Sequence, residues 1–313
     1  MAFLAEFGLY LPGRVVANVE IGAMAGADAE WIRSVSGIEE RRFAAAEESV
    51  ADMAAHAARD CLARARMAPT ALGMLLVASG SAERQFPGPA ATVATKLGLD
   101  ATPALDLPIA SAGSLVGLVL ASKLAASVGN ILVIGAEKLS PVILRQPMER
   151  GVAVLFGDGA GACLVRPDHG KAEVVDSVIH TDGAFAEELK LEFLKPLEMN
   201  GRSVILQASR KIPRSIAALL EHNHVQAADV EVFLMHQANR NLMVRVAQAL
   251  GVPEQKFFTN IERYGNTSSA SLLIAAAEWE RERGFRAGVP VCLAAFGAGF
   301  HWGAMLVRGV TAS

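Results

Sequence analysis

Cysteine is scarce in this chain of 313 residues: there are three, Cys61, Cys163 and Cys292. They are odd in number, far apart and set in apolar sequence, which excludes a disulfide framework and fits core thiols in a reduced, cytoplasmic protein. Long apolar runs are also missing. The most hydrophobic stretch, Leu115 to Ala126, is broken by Ser122 and Lys123 and falls short of the roughly 20 residues a membrane span requires. The start, Met1-Ala-Phe-Leu-Ala-Glu6, has no basic residue of the kind that opens a secretory leader. Nor does one sign of charge dominate. A net charge of −3 with mixed signs leaves no nucleic-acid footprint. What is present is 52% hydrophobic residues with 19% charged ones, enough for a large core in one big domain or two fused halves.

Two stretches share one outline, which points to an internal duplication. The first runs from a strand over Ala104 to Ile109, through Ser111, to a helix over Ser114 to Ser127 and a strand over Ile131 to Gly135. The second runs from a strand over Lys256 to Ile261, through Asn266, to a helix over Ser268 to Arg283 and a strand over Val289 to Phe296. Each alternates strand and helix, so a mostly parallel sheet covered by helices is expected in each half. Both helices are apolar around most of their circumference, at Leu115, Leu118, Val119, Leu120 and Leu124 and again from Leu272 to Ala277, as helices between two sheets would be. The polar turn Pro167 to Gly170 separates a first half, 1–168, from a second, 169–313. Phe185 to Arg202 reads as an irregular polar insertion that covers a site.

Three segments carry candidate chemistry. Ala104-Leu-Asp-Leu-Pro-Ile-Ala-Ser111 places Ser111 in the first turn of a helix, close to free N–H groups. Phe233-Leu-Met-His236-Gln-Ala-Asn239 ends a strand in a histidine, and Tyr264-Gly-Asn266-Thr-Ser-Ser opens another helix. Ser, His and Asn at three strand-to-helix junctions point to acyl transfer. Each residue has a plainer reading: Ser as a helix cap, His as a buried structural side chain, Asn as a turn residue. A helix terminus contributes ~0.3–1 kcal/mol, less than one unit of acidity at about 1.4 kcal/mol per unit. A nucleophilic Ser111 therefore calls for His236 as general base and then acid. Asn266 has no charge with which to support an imidazolium, and suits a donor to a carbonyl oxygen.

These segments, together with Phe156-Gly-Asp-Gly-Ala-Gly161, Ala295-Phe-Gly-Ala-Gly-Phe-His-Trp-Gly303, Gly8-Leu-Tyr-Leu-Pro12, Trp31-Ile-Arg-Ser-Val-Ser-Gly-Ile38 and Trp302-Gly-Ala-Met-Leu-Val-Arg308, resemble the ketoacyl-acyl carrier protein synthase III family of condensing enzymes. The resemblance covers nearly the whole chain. It implies a thiolase-like five-layered α/β/α/β/α sandwich of two pseudo-duplicated halves, with no cofactor beyond the coenzyme A thioester taken as substrate. It also implies a homodimer, and a nucleophile, usually cysteine, at Ser111. His236 and Asn266 then face a thioester carbonyl, and the backbone N–H groups of Ser111 and Ala298 form an oxyanion hole. Trp31 and Arg150 meet the adenine and phosphates of coenzyme A, Asn239 belongs with the substrate-binding positions, and Phe86 closes a neighbour's acyl pocket. Phe156 to Gly161 lacks the spacing of a dinucleotide loop and reads as tight packing near the site.

Departures from the family matter as much. Val35 and Asn241 stand where relatives often carry arginine, and Gln207 and Gln248 stand near carrier-docking lysines. Arg210, Lys211 and Arg214 are left either as a different basic patch or as a solvated helix face. The expected activity is that of an acyltransferase or condensing enzyme, passing an acyl group from acyl-CoA through Ser111 to a carrier protein or small-molecule acceptor by O-, N- or S-acylation or by decarboxylative condensation, in specialised fatty-acid-derived or polyketide metabolism. Two other readings fit the same residues: a non-catalytic partner of a cysteine-bearing paralogue, and an engineered Cys-to-Ser form of an ordinary decarboxylating synthase.

Overall fold

Two apolar helices form the centre of the molecule, as their all-round hydrophobicity requires. The computed structural model describes residues 1–311. It contains a nine-stranded sheet whose strands we number in chain order: β1 (Phe3–Tyr10), β2 (Met74–Ala78), β3 (Ala104–Leu107), β4 (Ile131–Glu137), β5 (Gly159–Arg166), β6 (Ala172–Thr181), β7 (Phe233–Met235), β8 (Pro290–Gly297) and β9 (His301–Gly309). The helices that bear on the site are α1 (Val50–Arg64), α2 (Gly113–Val128), α3 (Gly201–His222), α4 (Arg240–Leu250) and α5 (Ser271–Glu282). Among the described residues no helix is long and apolar enough to cross a membrane.

Strand order across the sheet is β7-β8-β9-β6-β1-β5-β4-β2-β3. In the first half β3, β2 and β4 run parallel, and β4–β5 and β5–β1 are antiparallel. The second half repeats this sense: β7 and β8 are parallel, and β8–β9 and β9–β6 antiparallel. The halves join along one short seam, where Phe3 pairs with Glu173 and Leu4 with Ala172. The counterpart of β3 has shrunk. The strand expected over Lys256 to Ile261 is a 3-10 turn at Glu254–Lys256 followed by one bridge residue, Phe257, parallel to Phe233. Lys256 explains the loss, since its ammonium is drawn to the Ala228 and Val230 carbonyls and the chain turns there.

Helices α2 and α5 lie between the two half-sheets and share one core with them, in which Leu115, Leu118, Leu272, Leu273, Leu234 and Leu293 are buried. Each such side chain contributes about 1.5–3 kcal/mol through burial. A second core packs α1 on the outer face of the first half, and a third packs α3 and α4 on the outer face of the second. This is the five-layered α/β/α/β/α sandwich, with all three cysteines buried and unpaired inside it.

Close approach of α5 to β5 depends on Gly161. A Cβ there would lie 2.6 Å from the Leu273 Cβ and 2.8 Å from the Ile274 backbone nitrogen. Gly161→Ala should therefore overpack the central layer and cost about 1–3 kcal/mol, read as a lower denaturant midpoint at unchanged slope; an unchanged midpoint would mean that α5 can shift freely.

Candidate active site

Ser111 stands before α2, not in its first turn. The helix begins at Gly113 with Ala112 as its cap, and the chain reaches it through a three-residue turn closed by the Ala112 N–H on the Ala110 carbonyl at 2.7 Å. That turn forces Ser111 to φ 61°, a left-handed conformation that costs a non-glycine residue of order 1–3 kcal/mol. Gly297 presses on it from β8: a Cβ there would sit 2.2 Å from the Ala110 carbonyl and 2.9 Å from the Ser111 Cβ. A second left-handed serine faces the first. Ser268 (φ 48°) accepts the Ser111 N–H on Oγ at 2.9 Å and lies 3.3 Å from the Ser111 Oγ.

A cavity of about 270 Å³ opens at these residues, with Ser111, His236, Asn266 and Ala298 on its wall. Its remaining lining is mostly apolar, from Leu155, Phe156, Leu197, Met199, Val204 and Ile205. Several of these come from the segment read as an irregular insertion, which forms a 3-10 turn at Gly183–Glu188 and a short hairpin of Leu189–Lys190 with Glu198–Met199. That segment does cover the site.

His236 is buried and is held through Nδ1 by the Ser271 hydroxyl, at the start of α5. Ser271 Oγ also accepts the Gln237 N–H at 3.1 Å. Burial alone drives the imidazole down to about 3, keeping it neutral. No hydrogen bond joins His236 to Ser111 among the described residues.

Asn266 is oriented just as firmly. Its Oδ1 accepts the Ser268 N–H at 2.8 Å, while its backbone bonds to Leu155 and Gly157. The amide Nδ2 is thus left as the free donor. Gly157 belongs to the glycine-rich run, and its Cβ would strike the Tyr264 carbonyl at 2.4 Å. Next to it, Asp158 accepts the Leu139, Ser140 and Ala44 N–H groups and the Ser140 hydroxyl; burial raises its pKa. The run is structural, as its spacing indicated.

The other expected positions divide. Trp31 lines the cavity mouth, with the Arg150 guanidinium 4.8 Å from its ring centroid. Asn239 lines the cavity too, but both ends of its amide are used: Oδ1 caps α4 at Leu242, and Nδ2 donates to the Val35 carbonyl at 2.8 Å. It is a structural residue, because it ties α4 to the segment bearing Trp31. Phe86 is 84% exposed and lies outside this chain's own cavity. The Ser111 N–H, expected in an oxyanion hole, is occupied by Ser268, since the turn aims it at that hydroxyl. Lys211 is no part of a free basic patch either: it pairs with Asp182 at 2.6 Å and covers the Trp302 ring.

Sequence reasoning missed Glu137. It ends β4, is fully buried, and accepts from the Ser79 Oγ, Gly80 N, Ser81 Oγ, Ser268 Oγ and Ser269 N at 2.6–3.3 Å. A carboxylate closing the otherwise apolar run Ile131 to Ala136 was the visible signal.

Comparison with known proteins agrees with this geometry. The family model described as 3-Oxoacyl-[acyl-carrier-protein (ACP)] synthase III matches residues 105–183, and its C-terminal counterpart matches 220–309. The chain is 36% identical to a beta-ketoacyl-[acyl-carrier-protein] synthase III of Oleidesulfovibrio alaskensis, with 98% of each covered. The crystal structure of 3-oxoacyl-[acyl-carrier-protein] synthase III from Aquifex aeolicus superposes with TM-score 0.94 at 33% identity, covering 98% of this chain and 100% of that one. The priming beta-ketosynthase of the R1128 polyketide pathway gives TM-score 0.90 at 29% identity, covering 99% and 97%.

The buried histidine has a thermodynamic consequence. Its folded-state value, about 3, lies below the ordinary 6.5, so the unfolded chain takes up the proton first as pH falls. His236 should therefore contribute a loss of stability from about 6.5 down to about 3. Denaturant midpoints measured across that range should fall, and His236→Asn, which cannot be protonated, should flatten part of the slope. An identical slope in the variant would contradict a neutral buried ring.

Proposed function

Starting from the fact that the chain belongs to the 3-oxoacyl-[acyl-carrier-protein] synthase III family, and so to the acyl-transferring condensing enzymes, we propose that it takes an acyl group from a coenzyme A thioester onto Ser111 and passes it to an acceptor. The observation that carries this reading is a serine on a strained left-handed turn at the wall of an apolar cavity whose wall also holds His236, fixed through Nδ1, and the free donor Asn266 Nδ2. Ser111 Oγ attacks the thioester carbonyl, a C–O bond forms, the C–S bond breaks, and coenzyme A departs as a thiol. Ala298 offers a backbone N–H to the developing oxyanion. The resulting oxyester is less electrophilic than a thioester, which favours an oxygen, nitrogen or sulfur acceptor. A carbon acceptor needs His236 and Asn266 on its own carbonyl while it loses carbon dioxide.

Trp31 and Arg150 suit the adenine and the anionic tail of the donor. The Arg150 guanidinium lies over the Trp31 indole, so a planar base at that point would meet both groups. The acceptor is an acyl carrier protein or a small molecule. The exposed Phe86 fits closure of a partner's pocket in a homodimer. A non-catalytic subunit would have no use for two side chains held this firmly.

Intact-protein mass spectrometry after incubation with a panel of acyl-CoA donors should show one acyl adduct on the wild-type chain and none on Ser111→Ala. If the wild type never loads while Ser111→Cys does, the serine disables the site and the acyl-serine route is wrong. For the donor pocket, Arg150→Ala should raise KM for acyl-CoA several-fold with little change in kcat. The penalty should vanish for an N-acetylcysteamine thioester, which has no adenine; an equal penalty on both donors would remove Arg150 from the pocket.

A further inference from the structure

Ser111 is a weak acid, and among the described residues its hydroxyl meets Ser268 and not His236, so the destination of its proton is sought along that contact. The hydrogen-bond network leaves one route. Glu137 Oε1 accepts from the Ser268 Oγ at 3.0 Å, and a carboxylate flanked by five donors has no proton to give back. The Ser268 proton is therefore committed to Glu137. The contact of 3.3 Å between the two serine hydroxyls must then run from Ser111 to Ser268, whose oxygen receives both the N–H and the O–H of Ser111. The donors around Glu137 are themselves fixed: Ser81 Oγ accepts the Lys138 N–H at 2.9 Å, and Ser79 Oγ accepts the Ser81 N–H at 3.3 Å. Each hydroxyl is left with only its proton for the carboxylate.

We infer that Ser111, Ser268 and Glu137 form a proton relay that activates Ser111 for acylation, an assignment that rests on the acyl-serine reading above. Ser268 is the catalytic residue, since it touches the attacking oxygen; Glu137 acts through it as the positioning carboxylate that receives the relayed proton. As Ser111 Oγ bonds to the acyl carbon, its proton moves to Ser268 Oγ and the Ser268 proton moves to Glu137 Oε1. When the C–S bond breaks, the electron pair leaves on sulfur; the proton passes back from Glu137 to Ser268, and the Ser268 hydroxyl, which lines the cavity, gives its proton directly to the thiolate. The balance is serine plus thioester giving acyl-serine plus thiol, with Ser268 and Glu137 restored. His236 and Asn266 remain free throughout to donate to a carbonyl.

The test compares single-turnover acylation of wild type, Glu137→Gln and Ser268→Ala with one acyl-CoA across a pH series, by intact mass. It then repeats Glu137→Gln in a Ser111→Cys background. General-base assistance is worth about 10²–10⁴-fold, so both variants should load at least about tenfold more slowly than wild type, at a rate that climbs about tenfold per pH unit as hydroxide replaces the relay. A cysteine reaches its thiolate near pH 8.5 without such help. The loss from Glu137→Gln should therefore be at least about tenfold smaller in the Ser111→Cys background. Equal losses in both backgrounds would make Glu137 merely structural, and unchanged rates with an unchanged pH profile would overturn the relay outright. Should Glu137→Gln not fold, Ser268→Ala decides by the same criteria. A wild type that never loads removes the acyl-serine reading and the relay together, whereas a wild type that loads alongside unaffected variants removes only the relay.

Discussion

A carboxylate can remain fully buried only if the hydrogen bonds that water would have made are replaced, and the way Glu137 meets that demand organises the centre of the molecule. Its donors come from the loop after β2 and from the 268–269 turn before α5, so the two halves are bound together directly beneath Ser111. The short pairing of β1 with β6 joins the sheets at their seam, but it does not orient the site. Glu137 does. Removing it would leave donors without partners in a dry interior, each costing about 1–3 kcal/mol. The turn that holds Ser268 in a left-handed conformation is anchored at both ends of its short span, by Asn266 Oδ1 and by Glu137.

Replacing a thiol by a hydroxyl at such a junction changes what the surroundings must supply. A thiolate can be drawn out by a helix terminus and modest help; a hydroxyl needs an acceptor in contact with it at the moment of attack. The helix that follows Ser111 cannot meet this need, since a terminus contributes only ~0.3–1 kcal/mol. Among the described residues the hydroxyl bonded to Ser111, that of Ser268, is already connected to a carboxylate. Pre-organisation therefore replaces acidity: the strain of two left-handed serines is accepted because it brings the oxygens of both halves together.

Much of this was readable from residue order. The duplication, the two all-round apolar helices and the glycine-rich structural run follow from periodicity and local turn signals, which are properties of neighbouring residues; the trio Ser111, His236 and Asn266 stood out through the family resemblance of their motifs. What escaped depends on contacts distant in sequence. Ser268 is 157 residues from Ser111, and Glu137 is 131 from Ser268. No local pattern distinguishes a buried acceptor from a charge at the end of a strand. The same limit explains Asn239, which the family resemblance placed among the substrate-binding positions, while its amide is spent on a helix cap and on the Val35 carbonyl. It also explains the lost strand near Lys256, where two distant carbonyls capture an ammonium that the local pattern reads as part of an extended segment.

The duplicated architecture also divides the chemistry. Each half contributes a strand, a tight turn and a central helix, but the turns carry opposite functions. In the acyl-serine reading proposed above, the first half presents the attacking oxygen of Ser111; the second presents Asn266 Nδ2 and His236, the latter held through Ser271 on α5. Ser111 shares one hydrogen-bond network with Ser268 and Glu137, while His236 is held by another through Ser271. The two meet at the 266–271 segment, where Asn266 Oδ1 holds the Ser268 N–H and Ser271 holds the imidazole. A shift of that segment would disturb attack and polarisation at once, which is why its backbone is bound to Leu155 and Gly157 and its turn is closed by the Glu137 carboxylate.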